Sequence, residues 1–171
     1  MAGSKSELRE IIESIVIAVI LALVIRAFVV EAFYIPSGSM EPTLQVGDRI
    51  LVNKFIYRFR DIQHQDLVVF KYPLDPDRDF IKRVIGIGGD NIQIEDGMVL
   101  VNEEPLDENY LENRAYNDYG PVAVPEDHFF VLGDNRNNSE DSRYWGFVPR
   151  KNMVGEAFVI YWPLDRIQLL E

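Results

Sequence analysis

The sequence predicts a mainly β protein: an antiparallel β-sheet domain with a small inserted β lobe, preceded by one N-terminal transmembrane helix. Three observations predict it. Residues 15–25 (IVIAVILALVI) form an unbroken apolar run. After Pro36, β-branched and aromatic runs of strand length alternate with Pro, Gly and Asp. Asp96-Gly97 lies between two such runs, a strong two-residue hairpin signal. No long helical period follows residue 30.

The anchor comes first. Counted from Ile11 to Val30 it has 20 residues, which at about 1.5 Å each span a hydrocarbon core of about 30 Å. Glu13, Ser14 and Arg26 interrupt it near its ends, where polar side chains reach the interface. A cleavable signal peptide fits less well, because no A-x-A-like site follows. A buried amphipathic helix is disfavoured because the run is apolar on every face. Lys5 and Arg9 favour a cytoplasmic N-terminus over residues 1–10, opposed by neighbouring glutamates.

The strands follow in order: 49–53, 66–72, 80–87, then the hairpin 91–95 and 98–101, then 128–132 and 157–162. Residues 102–120 are polar, acidic and poor in aliphatic side chains. The expected organisation is therefore a main β domain over 31–90 and 126–171, with residues 91–125 as the inserted lobe.

Composition narrows the function. The net charge is −11. Residues 1–26 are balanced (Lys5, Arg9, Arg26 against Glu7, Glu10, Glu13), so the whole excess lies beyond them. An acidic domain without a basic stripe repels phosphates, so no nucleic-acid partner is expected. The chain has no cysteine, which excludes disulfides, thiolate metal sites and a cysteine nucleophile.

Two residues carry the candidate chemistry. If 80–86 is a strand, alternation places Phe80, Lys82, Val84 and Gly86 on one face. An apolar setting disfavours the ammonium form, and a shift of about two units, roughly 3 kcal/mol, would leave a neutral amine near about pH 8. The competing readings are a snorkelling lysine or an ion pair with Asp79. Ser39 sits in a turn constrained by Pro36, Gly38 and Pro42, two residues after Ser37. Such a serine can attack a carbonyl once a base removes its proton, with backbone N–H groups and a second hydroxyl stabilising the oxyanion. A plain surface loop is the competing reading.

Other chemistries are weaker. There is no G-x-S-x-G elbow, and the only histidines, His64 and His128, have no triad context. No metal site and no cofactor is expected. Gly86-Ile-Gly-Gly-Asp90 lacks nucleotide-loop spacing and reads as a turn. The polar segment Gly133–Gly146 is either a solvated loop or a buried network in which Arg83 or Arg143 faces Asp134 or Asp141.

Taken together, the anchor, Pro36–Leu44, Gly47–Lys54, Phe80–Gly86 and Gly133–Gly146 resemble the bacterial type I signal peptidases, membrane-bound Ser/Lys enzymes that remove signal peptides from exported proteins. The resemblance implies Ser39 as nucleophile and Lys82 as general base. It implies an oxyanion hole of the Ser37 hydroxyl and the Ser39 N–H, and Ser139 as the group orienting the lysine. Arg83, Asp134, Asp141 and Arg143 would form the supporting network. Phe33, Ile35, Leu44, Phe80 and Ile81 would line shallow pockets for small side chains, with the substrate added as a strand beside 33–37 and 80–83. The implied partners are exported preproteins bearing signal peptides with small residues before the cleavage site, the lipid bilayer and the protein-export machinery. The implied place is the outer face of the bacterial plasma membrane by a single pass, or alternatively the thylakoid membrane. Asn137 stands where many members have aspartate, and only one anchor and a short lobe are present. Two other readings compete: a self-cleaving Ser/Lys repressor, which would need a DNA-binding helical domain, and a membrane-tethered β domain that binds a partner without catalysis.

Overall fold

The computed structural model describes residues 3–115 and 117–170, without the side chains of residues 3–7 and 24–28. The start and end of the chain, Tyr116 of the expected lobe, and the Lys5 and Arg26 side chains thus lie outside the described residues. A helix, α1 (Gly3–Phe28), leads into β1 (Val30–Tyr34). The remaining strands are β2 (Arg49–Asn53), β3 (Leu67–Tyr72), β4 (Asp75–Ile87), β5 (Asn91–Glu95), β6 (Met98–Val101), β7 (Glu104–Pro105), β8 (Tyr119–Ala123), β9 (His128–Leu132), β10 (Val148–Pro149), β11 (Met153–Trp162) and β12 (Gln168–Leu169). A one-turn helix, α2 (Ser142–Trp145), precedes β10. The protein is mainly β and antiparallel, as expected.

The strands form two sheets. The main one runs β1-β2-β11-β3-β4-β9-β10, with β12 beside β11; the second runs β7-β6-β5-β8. β3 is a continuous apolar run because both of its faces are covered. Leu67 and Val69 join a cluster with Ile35, Met40, Leu44, Ile50 and Val52. Val68 and Phe70 point the other way, to Val84, Val131 and Val148. A third cluster joins the sheets: Ile85, Phe130 and Leu132 pack on Ile92, Ile94, Val99 and Val124. Gly86 is needed there, since a Cβ would overlap the Ile92 side chain.

Several expectations need correction. β4 starts at Asp75, not Phe80, because the polar residues 75–79 complete the hairpin with β3. β11 starts at Met153, where pairing to β3 begins. Val30, assigned to the anchor, opens β1 instead and pairs with Asn53. The expected transmembrane span is not found: among the described residues, no helix is both long and apolar enough to cross a membrane. That holds for the described residues only: the side chains of residues 24–28, inside the expected span 11–30, lie outside them.

Candidate active site

Ser39 is fixed by the chain on either side of it. It lies in the one-turn 3-10 helix Gly38–Met40, entered through an extended Ser37 (φ −137°, ψ 154°). Ile35 ties this segment to β2 by donating to Asp48 O at 2.9 Å, while Gly47 N donates to Ile35 O at 2.9 Å. Met40 and Leu44 are fully buried beneath the turn. From the other side, Asn135 N donates to Ser39 O at 3.1 Å and Asn135 Nδ2 to Gly38 O at 3.0 Å.

Lys82 arrives from β4 and is only 3% exposed. Its Nζ donates to Ser39 Oγ at 2.8 Å and to Ile81 O at 2.9 Å, and sits 5.5 Å from the Phe80 ring centroid. Burial pulls the amine down from its usual 10.5 to about 8, against an upward pull from Asp141, Asp134 and Glu140. Asp79 does not pair with it; Asp79 binds Lys71 Nζ at 3.1 Å. A lysine that loses its proton near neutrality, in hydrogen-bond reach of a hydroxyl, can act as that hydroxyl's base.

Alternation along β4 turns Arg83 away from Lys82 and into a second buried pair. Arg83 Nε and Nη2 donate to Asp134 Oδ1 and Oδ2 at 2.9 and 2.7 Å, a two-pronged contact that suits a planar guanidinium. Thr43 Oγ1 donates to Asp134 Oδ2 at 2.5 Å. Arg143 Nε and Nη2 donate to Asp141 at 2.8 Å each, and Gly133 N to Asp141 Oδ2 at 3.1 Å. Asp134, Arg136, Asp141 and Ser142 thus belong to a buried network, while Asn137, Asn138, Glu140 and Tyr144 of the same segment are exposed.

A cleft of about 970 Å3 opens over the pair. Phe33, Ile35, Phe80 and Ile81 line it, together with Ser37 and Ser139. Leu44 does not: it is fully buried in the core under the turn, so its expected contact with substrate is corrected. The Ser37 side chain is exposed and makes no capping hydrogen bond. Ser139 does not hydrogen-bond Lys82. Its Oγ is buried without a partner, pressed against Gly133, where any Cβ would collide with it. Asn137 lines the cleft and donates to Arg114 O at 3.0 Å. His64 bonds Asp90 at 2.7 Å and His128 bonds Glu126 O, both outside the cleft lining.

Sequence reasoning missed Thr43, Asn135 and Arg136. Arg136 is wholly buried, donating to Gly133 O at 3.1 Å and pairing with Glu108. Nothing in a polar, Asn-rich stretch distinguishes a buried arginine from a solvated one.

The likeness to known proteins covers both sheets. Residues 8–162 match the family described as signal peptidase, peptidase S26. The probable signal peptidase I-2 of Synechocystis sp. is 52% identical over 167 residues, covering 94% of this chain and 76% of that protein. The probable thylakoidal processing peptidase 2 of Arabidopsis thaliana is 40% identical, over 88% of this chain and 43% of that one. Among solved structures, a signal peptidase I from Enterococcus faecalis superposes with a TM-score of 0.52 at 30% identity, over 57% of this chain and 97% of that one. With that span and those identities, the chain belongs to the signal peptidase (peptidase S26) family.

Proposed function

We propose that this chain is a serine endopeptidase that removes signal peptides from exported preproteins, with Ser39 as nucleophile and Lys82 as general base. The observation that carries the assignment of roles is the buried Lys82 Nζ at 2.8 Å from Ser39 Oγ. The neutral amine takes the Ser39 proton as Oγ bonds to the scissile carbonyl carbon. The Ser37 hydroxyl and the Ser39 N–H donate to the resulting oxyanion. The ammonium then protonates the leaving nitrogen as the C–N bond breaks, leaving an ester on Ser39. Water, deprotonated by Lys82, hydrolyses the ester and Ser39 recovers its proton. While Ser39 is acylated the lysine lacks its serine partner; the unpartnered Ser139 hydroxyl in the same cleft is the group we assign to hold it.

Two free edges support the substrate pose. β1 ends the main sheet, so its outer edge is open. β4 begins pairing with β9 only at Arg83, which leaves residues 80–82 unpaired on that side. An extended peptide laid between these edges places its carbonyl over Ser39. Phe33, Ile35, Phe80 and Ile81 then restrict which of its side chains fit, in keeping with small residues before the cleavage site. Residues 91–125 we read as an inserted lobe on the main domain.

We assign α1 to membrane attachment. Ile11, Ile12, Ile15, Ile17, Ile20 and Leu23 are each more than half exposed and face all sides of the helix. Apolar side chains left uncovered all round a helix are stable in lipid and not in water. The bacterial plasma membrane, on its outer face, and the thylakoid membrane are the two settings compatible with the relatives.

The assignment is tested by Ser39→Ala and Lys82→Ala, purified separately and incubated with a preprotein. Each is expected to abolish cleavage while circular dichroism stays that of the wild type; cleavage by either folded variant would overturn it.

A further inference from the structure

The connection from β7 to β8 contributes no lining residue to the cleft between 107 and 114, yet it reaches the reacting pair through two polar routes. On the first, Tyr110 lays its ring over the Arg83 guanidinium, with 3.8 Å from Cζ to the ring centroid. On the second, the Glu108 carboxylate receives Nη1 of Arg136 at 3.1 Å and, closer still, its Nη2. The routes are joined, since the Tyr110 hydroxyl donates to Glu108 Oε1 at 2.9 Å. A third tie runs through backbone: Gln65 Nε2 donates to Asp107 O at 3.1 Å, and Gln65 O accepts from Arg83 Nη1 at 3.0 Å.

The first route ends on the residue next to Lys82, the second on a glycine in contact with the Ser39 backbone. Arg83 follows Lys82 along β4, so its position sets that of the strand carrying the amine. Arg136 Nε holds Gly133 O at 3.1 Å, and Gly133 lies so close to Ser39 O and the Ser139 hydroxyl that a Cβ would strike both. Arg136 is wholly buried, so without Glu108 its charge would have to move toward water and carry Gly133 with it. Docking the two sheets does not require this polar contact. Ile85, Phe130 and Leu132 already pack on Ile92, Ile94 and Val99.

We propose that Tyr110 and Glu108 are positioning residues for the Ser39–Lys82 pair: by clamping Arg83 and Arg136 they hold β4 and residues 133–136 at the spacing that keeps Nζ on Oγ and water off the amine. The proposal rests on the Ser/Lys reading above. A loosened clamp lengthens the Nζ–Oγ contact and hydrates Lys82, whose low pKa comes first from burial. The edges of β1 and of residues 80–82 stay unpaired and open to an extended peptide.

The test compares full-length wild type with Tyr110→Ala, Tyr110→Phe, Glu108→Gln and, as a neighbour without an assigned role, Glu112→Gln, on a signal-peptide substrate across pH. Wild type must cleave and Ser39→Ala must not; a departure from that overturns the parent reading, and this one with it. The expected result for folded Tyr110→Ala is a fall in kcat of about tenfold below the acid limb, with KM unchanged and the limb moved about one unit to higher pH. Tyr110→Phe keeps the ring over Arg83 and is expected to recover most of that loss. If Tyr110→Ala does not fold, Glu108→Gln is read by the same criteria. A folded variant whose kcat and limb match wild type, or a loss equalled by Glu112→Gln, overturns the proposal. So does failure of both variants to fold, since the clamp would then be a folding contact.

Discussion

Replacing Lys82 by methionine separates what the buried amine does for catalysis from what it does to stability. In the folded protein the amine loses its proton near 8 rather than its usual 10.5. Between those values the unfolded chain binds one more proton than the folded one, so stability rises with pH across that window. Below it both states are protonated and the full penalty, about 3.4 kcal/mol, is present. About 2.5 kcal/mol of this is recovered between about pH 7 and pH 10. Lys82→Met keeps the straight chain and removes the titration. Its lost hydrogen bonds to Ser39 Oγ and Ile81 O cost about the same at both pH values and cancel in the comparison. Urea unfolding followed by Trp145 and Trp162 fluorescence should therefore show wild type gaining about 2.5 kcal/mol more than Lys82→Met over that range. The variant should also be inactive at every pH. Equal pH dependence in the two proteins would refute the claim that Lys82 is buried at such a cost, and with it the physical basis for a lysine base.

Two further outcomes follow from the same contacts. Arg143→Gln removes the partner of a wholly buried Asp141, which should cost about 3–5 kcal/mol of stability. It should also raise the Lys82 pKa, moving the acid limb of cleavage up by about one unit; a limb that stays in place would show that Asp141 does not act on the amine. Deleting residues 8–23, which carry the exposed apolar side chains, should release the protein from membranes into the soluble fraction with the main sheet intact, as judged by circular dichroism. Retention on membranes after deletion would assign attachment elsewhere.

Local pattern made most of the fold legible. The hairpin at Asp96-Gly97 and strands such as Arg49–Asn53 and His128–Leu132 follow from β-branched runs between turn residues. Where the reading failed, tertiary pairing overrode composition. Asp75–Asp79 is too polar to suggest a strand and becomes one because β3 folds back beside it. Val30 reads as part of an apolar helix until pairing with Asn53 claims it for the sheet. At the site, Ser39 and Lys82 were visible because each has an unusual local setting. Arg136, Glu108 and Tyr110 were not, since their significance comes only from contacts across the two sheets. Leu44 was placed by resemblance, and the packing under the turn puts it in the core instead.

The lysine and the polar network make opposing demands, and the arginines reconcile them. Lys82 needs dry surroundings to shed its proton, yet Asp134 and Asp141, which organise the segment from Gly133 onward, stabilise its charged form. Left unpaired, two buried carboxylates at short range would push the amine back toward its ordinary value and remove the base. Each is instead occupied by its own guanidinium, Arg83 on Asp134 and Arg143 on Asp141. Each guanidinium offsets part of its carboxylate's field at Nζ. In the proposed mechanism the serine needs no histidine, because burial outweighs the pull of the carboxylates and brings an ordinary amine to about 8 while β4 holds it on the hydroxyl. A folded variant lacking either arginine should thus lose activity first at the acid end of its pH range, where too little of the amine is neutral.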